Sequence, residues 1–189
     1  MLLEELDIFS VPLKKFQFQK EEITPLLNEY EEKRDAIIKR SSFYVQGDGE
    51  QDLSDYATDF QNPVKLHEYE KLIMLVKNYF ENKNYNFQLI SYWTAVYNSK
   101  GYHKEHCHNN GSHYMPPSNN FASALYLTSV GGTAFHSPHA MSAEYEYSIK
   151  SKVGLLVIFP SSLIHSAPSS NSPLISISAS PFFSMVIIV

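Results

Sequence analysis

The chain has 189 residues, enough for one well-buried core and short for two. Its 43% hydrophobic and 19% charged content fits an ordinary folded domain and not a disordered chain, and a net charge of −5 argues against a nucleic-acid-binding surface, which needs clustered lysine and arginine. The single cysteine, Cys107, excludes an intramolecular disulfide and is compatible with a reducing cytoplasm.

In chain order, Met1-Leu-Leu-Glu-Glu begins acidic, without the basic start and apolar run of a secretory leader. Ile8-Phe-Ser-Val-Pro-Leu and Phe16-Gln-Phe suit one or two short extended segments. Residues 21–40 read as a helix, with Pro25 expected in its first turn and Ile23, Leu26, Leu27, Tyr30, Ile37 and Ile38 on an apolar face. Residues 42–63 read as irregular, and a second helix is expected over 64–82 with Leu66, Tyr69, Ile73, Val76 and Phe80 on one side. Beyond Lys83 the pattern shifts to strands, expected over 87–97, 102–108, 122–128, 133–136, 145–149, 155–159, 164–167 and 174–183. Gly131-Gly132 and Pro160-Ser-Ser mark turns between some of them.

Helices followed by many short strands describe one mainly β domain over 1–189. In it, 1–83 supply extended segments and two supporting helices, and 84–189 form an antiparallel sandwich or barrel. The 13 Tyr and 12 Phe favour a β-rich interior. The apolar end Phe182-Phe-Ser-Met-Val-Ile-Ile-Val189 is far shorter than the ~20 residues of a membrane span. It reads as a last strand, at an edge or a homodimer contact. The chain is therefore expected to be soluble, with no membrane and no nucleic-acid partner.

Seven of the eight histidines lie between His103 and His165. His106 and His108 are i and i+2, which on a strand aims two imidazoles at one face. A third, His165, follows the apolar strand Gly154-Leu-Leu-Val-Ile-Phe-Pro and its turn. Three such ligands around a mid-first-row metal leave positions open for substrate or oxygen. The plainer readings are a polar strand face for the pair and a packed, hydrogen-bonded histidine for His165. On a regular strand His103 and Glu105 face away from His106 and His108, so His103-Lys-Glu105 is a competing ligand pair rather than an addition. Cys107 is then expected to be buried and to point away from the metal. His113, in the polar stretch 109–120, and His136 and His139, flanking Ser137-Pro138, read as loop histidines near the site mouth.

From residues 87 to 180 the chain resembles the phage and bacterial 2-oxoglutarate/Fe(II)-dependent oxygenases of the prolyl-hydroxylase-like group. The resemblance rests on the Trp93 strand, His106-Cys-His108, Ala124-Leu-Tyr-Leu127, Gly131-Gly132, Ser137-Pro138, Leu174-Ile-Ser-Ile-Ser178 and above all Phe159-Pro-Ser-Ser-Leu-Ile-His165. It implies a double-stranded β-helix, a jelly-roll or cupin-like fold with iron at its open end. It also implies oxidative decarboxylation of 2-oxoglutarate to succinate with O2, coupled to hydroxylation of a substrate, prolyl or other peptidyl groups by analogy. His106 and His165 take the family's iron-histidine positions, and His108 stands where most relatives have Asp or Glu, which opens the site to zinc as well.

The resemblance also exposes a departure. The family places an arginine nine residues after the distal histidine to grip the far carboxylate of 2-oxoglutarate, and here that position is Leu174. Arg34 and Arg40 are the only arginines, both in the first expected helix. Lys100, Lys104, Lys150 or Lys152 as point charges, or the hydroxyls of Tyr92, Tyr97, Tyr126 and Ser176, are the candidate substitutes. Tyr126, Leu174 and Ser176 thus mark the expected co-substrate end. The leading expectation is an Fe(II)-dependent dioxygenase, cytoplasmic in a bacterial host if phage-encoded. A non-catalytic jelly-roll metal protein and a three-histidine cupin-type enzyme that needs no 2-oxoglutarate remain open.

Overall fold

The computed structural model describes residues 2–8, 11–44, 56–83, 85–89, 91–98, 100–108, 121–137, 146–170, 174–179 and 186–187. Two strands, β1 (Leu2–Ile8) and β2 (Val11–Gln17), open the chain as an antiparallel hairpin, and helix α1 (Lys20–Arg40) follows. Strands β3 (Ser42–Tyr44) and β4 (Tyr56–Thr58) precede helix α2 (His67–Glu81). Then come β5 (Tyr85–Asn86), β6 (Tyr92–Tyr97), β7 (His103–His106), β8 (Phe121–Tyr126), β9 (Gly132–His136) and β10 (Glu146–Lys150). The last four are β11 (Leu155–Pro160), β12 (His165–Ala167), β13 (Leu174–Ala179) and β14 (Val186–Ile187).

Eight strands pair in the order β1-β2-β11-β8-β13-β6-β4-β3, and four more in the order β10-β9-β12-β7. The small sheet faces one side of the large one, and both helices cover the other. β11 shows why its sequence is an unbroken apolar run. Leu155, Val157 and Phe159 enter the core between the sheets, while Leu156 and Ile158 enter the core under the helices. A strand buried on both faces has no solvent side on which to place polar residues. Neighbouring β8 divides the same way, with Ala122, Ala124 and Tyr126 inward and Leu125 toward the helices.

Several expectations are corrected in detail. Residues 42–63 are not wholly irregular, because β4 pairs with both β3 and β6 and joins the large sheet. Three residues are too few to display a two-residue alternation, so this strand left no periodic trace. Pro25 is the sixth residue of α1, beyond the first turn, and costs the helix one backbone hydrogen bond. α2 begins at His67 because 63–66 are held extended: the Val64 N–H donates to buried Asp59 and the Leu66 N–H to the Tyr92 hydroxyl, both at 2.7 Å. The strand expected over 87–97 starts only at Tyr92, and β13 ends at Ala179. Residues 180–183 of the strand expected over 174–183 lie outside the described residues, and β14 pairs with β5 in a separate two-stranded sheet. Among the described residues no helix is long and apolar enough to cross a membrane.

The helices are tied together by one buried carboxylate. Glu29 of α1 accepts hydrogen bonds from Lys33 (2.8 Å) and from the backbone N–H groups of His67 (2.9 Å) and Glu68 (2.8 Å) at the start of α2. It supplies a negative charge where a helix exposes unpaired N–H groups.

Candidate metal centre

β12 lies between β9 and β7, and in the β7 ladder His165 is the direct partner of His106. Residues paired across an antiparallel ladder have side chains on the same face, so the two imidazoles meet, with ring centroids 4.3 Å apart. The turn that leads into β12 does more than reverse the chain. The Leu163 N–H donates to the Pro160 carbonyl (3.0 Å), and the Ser161 carbonyl accepts the backbone N–H of His108 (2.9 Å). The Leu163 carbonyl accepts the Nδ1 hydrogen of His165 (2.9 Å). The Phe-Pro-Ser segment therefore positions two of the three histidines through its backbone.

His106, His108 and His165 each bring a ring nitrogen into a group whose atoms all lie within 4.8 Å of one another. A carbonyl can only accept, so His106 Nδ1, 2.8 Å from the Lys104 carbonyl, carries the ring hydrogen, as does His165 Nδ1. Both Nε2 atoms are left with a lone pair, the form in which imidazole binds a metal, and the carbonyls fix the ring orientation. His165 is buried and the other two are half-buried. Burial, reinforced by neighbouring histidines, pushes His108 down to about 4 and His165 well below the ordinary imidazole range. His106 is lowered by burial, which outweighs its carbonyl hydrogen bond. All three are neutral at pH 7, as ligation requires.

β7 is not a regular strand. His165 pairs with His106 but Ala167 pairs with His103, so β7 carries one more residue than β12 between the two pairs. This bulge leaves Lys104 and Glu105 exposed together and brings both His103 and His106 to the inner side. His103, expected to face away, instead lies against His106 with ring centroids 3.8 Å apart and shares a 3.3 Å hydrogen bond with the Tyr56 hydroxyl. It sits beside the three-nitrogen group without joining it. Glu105, the alternative carboxylate, points outward, 3.7 Å from His136 Nδ1, and does not line the cavity. His136 packs on that outer side, bonded to Ser166 (2.9 Å), while His113 and His139 lie outside the described residues. Cys107 is half-buried rather than buried and is not among the lining residues.

The histidines open into a cavity of about 240 Å³ between the two sheets. Tyr97, Tyr126 and Ser176, named among the co-substrate candidates, line it, and Ser176 pairs with Tyr126 in the ladder. Leu174 pairs with Tyr97 two residues earlier in β13. Tyr92 is on the other side of the sheet, where its hydroxyl accepts the Leu66 N–H, so it is withdrawn as a candidate. The lysine substitutes are withdrawn as well: Lys100, Lys104, Lys150 and Lys152 are all exposed. All 15 lysines and arginines of the chain fall within the described residues, and none lines the cavity.

Tyr56, Thr133, Trp93 and Phe60 are among the lining residues that escaped the sequence reading of the site. Tyr56 belongs to the short β4 strand and stacks between Tyr97 (5.5 Å) and His103 (4.4 Å). Thr133 on β9 bonds the Tyr126 hydroxyl at 2.5 Å, linking the two sheets across the cavity. Its place two residues after Gly131 in a known strand was the only signal available. Trp93 sets its ring edge-on to His108 at 5.8 Å, and Phe60, 52% exposed, packs edge-on to Trp93 and marks the mouth.

An antiparallel large sheet backed by helices and a small sheet carrying histidines at an open end define a double-stranded β-helix. Solved structures share this fold. One is a prolyl hydroxylase of Trichoplax adhaerens in complex with a hypoxia inducible factor peptide, at 13% identity and TM-score 0.64, over 91% of this chain and 83% of that one. Another is a Pseudomonas putida prolyl-4-hydroxylase, at 11% identity and TM-score 0.59, over 94% and 95%. A third is the viral collagen prolyl hydroxylase of Paramecium Bursaria Chlorella virus-1, at 16% identity and TM-score 0.53, over 88% and 92%. No curated protein gives a sequence match. Residues 91–180, just under half of the chain, match the family described as "Putative 2OG-Fe(II) oxygenase". The matched segment, which holds all three histidines, is similar to the 2-oxoglutarate/Fe(II)-dependent oxygenases, a family whose co-substrates are 2-oxoglutarate and O2.

The donor set fits the metal that this family implies. Three neutral imidazoles converge within 4.8 Å, two with Nε2 freed by carbonyl bonds, and their borderline-soft nitrogens suit Fe(II). The cavity fits a small acid in size and in hydroxyl groups, but it offers a second carboxylate no cationic side chain.

Proposed function

We propose that the protein is a catalytically active oxygenase that hydroxylates a peptidyl substrate, with His106, His108 and His165 as its iron ligands. The observation that carries this reading is the convergence of three neutral ring nitrogens within 4.8 Å in the wall of a cavity between the sheets. Bound there, Fe(II) would supply the redox chemistry with O2 and the 2-oxo acid.

The chain's own residues do the rest. The Lys104 and Leu163 carbonyls hold the His106 and His165 rings in the metal-binding tautomer. Phe159 packs its edge on His165, with ring centroids 4.8 Å apart, and excludes water from behind that ligand. Trp93 and Phe60 present an aromatic mouth to which an apolar stretch of polypeptide would pack. The hypoxia inducible factor peptide in the Trichoplax adhaerens structure supports a polypeptide as the substrate class.

Succinate formation from 2-oxoglutarate, measured aerobically with Fe(II), tests the reading without knowledge of the substrate. The wild-type protein should form succinate slowly, and His165→Ala should form none above buffer. Wild-type protein with a full complement of iron and no more succinate than His165→Ala would overturn it.

A further inference from the structure

An acid that enters this cavity must have its charge balanced by something other than a side chain. The lining residues described include no Asp, Glu, Lys or Arg, and all 15 lysines and arginines lie among the described residues outside that lining. The three imidazoles add nothing, since each binds a metal as a neutral ligand. A divalent ion held by them keeps its full double charge, in a chamber partly walled by Ala95, Ala124 and Phe159.

We propose that the cavity selects a doubly charged 2-oxo acid by net charge, with the third imidazole, His108, taking over the electrostatic part of a cationic side chain by leaving the metal's charge undiminished. The inference rests on the iron-site reading above. A dianion brings the loaded chamber to neutrality, whereas a singly charged acid leaves one positive charge without a partner in a poorly solvated space.

The deep wall is built to solvate such a tail without adding charge. Tyr126 and Thr133 hold two hydroxyl hydrogens between them, and their mutual bond uses one, so one remains to donate. Ser176 sits opposite Tyr126 on the adjacent strand. Thr133 is two residues from Phe135, the β9 partner of His165, so this hydroxyl group lies about 7 Å along the strand from the histidine. That separation places charge at the metal and neutral donors at the far wall.

The test compares two acids of equal chain length, 2-oxoglutarate and 2-oxopentanoate, titrated anaerobically into the Fe(II)-loaded protein while the visible charge-transfer absorption is followed. The wild type should bind 2-oxoglutarate at least tenfold more tightly. His108→Asp, which lowers the site's charge by one, should shrink that preference to less than threefold. Adding Leu174→Arg, at the β13 position paired with Tyr97, should restore it in that background and add little to the wild type. Equal or tighter binding of 2-oxopentanoate by the wild type overturns the proposal, as does an equal gain from Leu174→Arg in both backgrounds. If His108→Asp holds no iron, the wild-type comparison decides alone. Absorption with neither acid would sink the iron and 2-oxo-acid reading itself, and this inference with it.

Discussion

His103 lies nearly parallel to His106, with an interplanar angle of 19° and ring centroids 3.8 Å apart. Tyr56 and Tyr97 continue the stack behind it, at 4.4 and 5.5 Å. The column packs against His106, the proposed iron ligand, and depends on the bulge in β7. His103→Ala should therefore loosen the His106 ring without removing a ligand. Fe(II) affinity should fall about 10- to 100-fold, the usual effect of an orienting neighbour. Competition with a metal-sensitive dye measures it, and an unchanged affinity would show that the stack does not orient the ligand.

Glu29 joins the two helices through three hydrogen bonds, and they set its acidity. Burial alone would raise its pKa, but the Lys33 contact and the N–H groups of Glu68 and His67 outweigh burial and lower it. A carboxyl group lowered in the folded state adds stability above its unfolded pKa of about 4.3, and that contribution is lost as pH falls through the folded value. Glu29→Gln should cost about 2 kcal/mol at pH 7, with the gap to wild type closing below pH ~4. Urea unfolding at both pH values reads this out. A gap that persists in acid would assign the effect to shape and not to charge.

Gly132 begins β9 where that strand crosses β10. A Cβ there would collide with the carbonyl oxygen of Ile149, a backbone atom that cannot swing aside. Gly132→Ala should destabilise the protein by at least ~2 kcal/mol and distort the β9–β10 pairing that sets Thr133 and Phe135 in place. Thermal unfolding would reveal this as a fall of several degrees. A variant as stable as the wild type would mean that the strands separate there at little cost.

The Tyr126–Thr133 bond spans the two sheets at the deep wall. Tyr126→Phe removes it and leaves the buried Thr133 hydroxyl without its partner, at a cost of about 1–2 kcal/mol. The same variant should weaken the Fe(II)-dependent binding of 2-oxoglutarate severalfold while leaving Fe(II) affinity unchanged. Loss of iron as well would place the tyrosine's role at the metal instead of the acid.

That Leu155 to Phe159 form a buried strand could be read before any coordinates from the unbroken apolar run; which of them face the helices and which the small sheet came only with the fold. The apolar faces of both helices could likewise be read. Sequence spacing brought His106, His108 and His165 forward as candidates because histidines separated by one residue are rare and because His165 follows a doubly buried strand. What could not be read was the β7 bulge. It depends on the pairing of Ala167 with His103 across a distant strand, a relation that no local pattern encodes. Tyr56 was hidden for a similar reason, since a three-residue strand takes its identity from the neighbour it pairs with. The lysines looked available because sequence gives their number and not the side of the sheet on which they emerge.

The most direct test is anaerobic equilibrium binding of Fe(II) to the wild type, His106→Ala and His165→Ala, read as iron bound per chain against free metal. One ion is expected per wild-type chain, with loss of that binding in both variants while each remains folded. Full iron affinity retained by either folded variant would contradict this, because the ladder partners His106 and His165 would then not form the metal site.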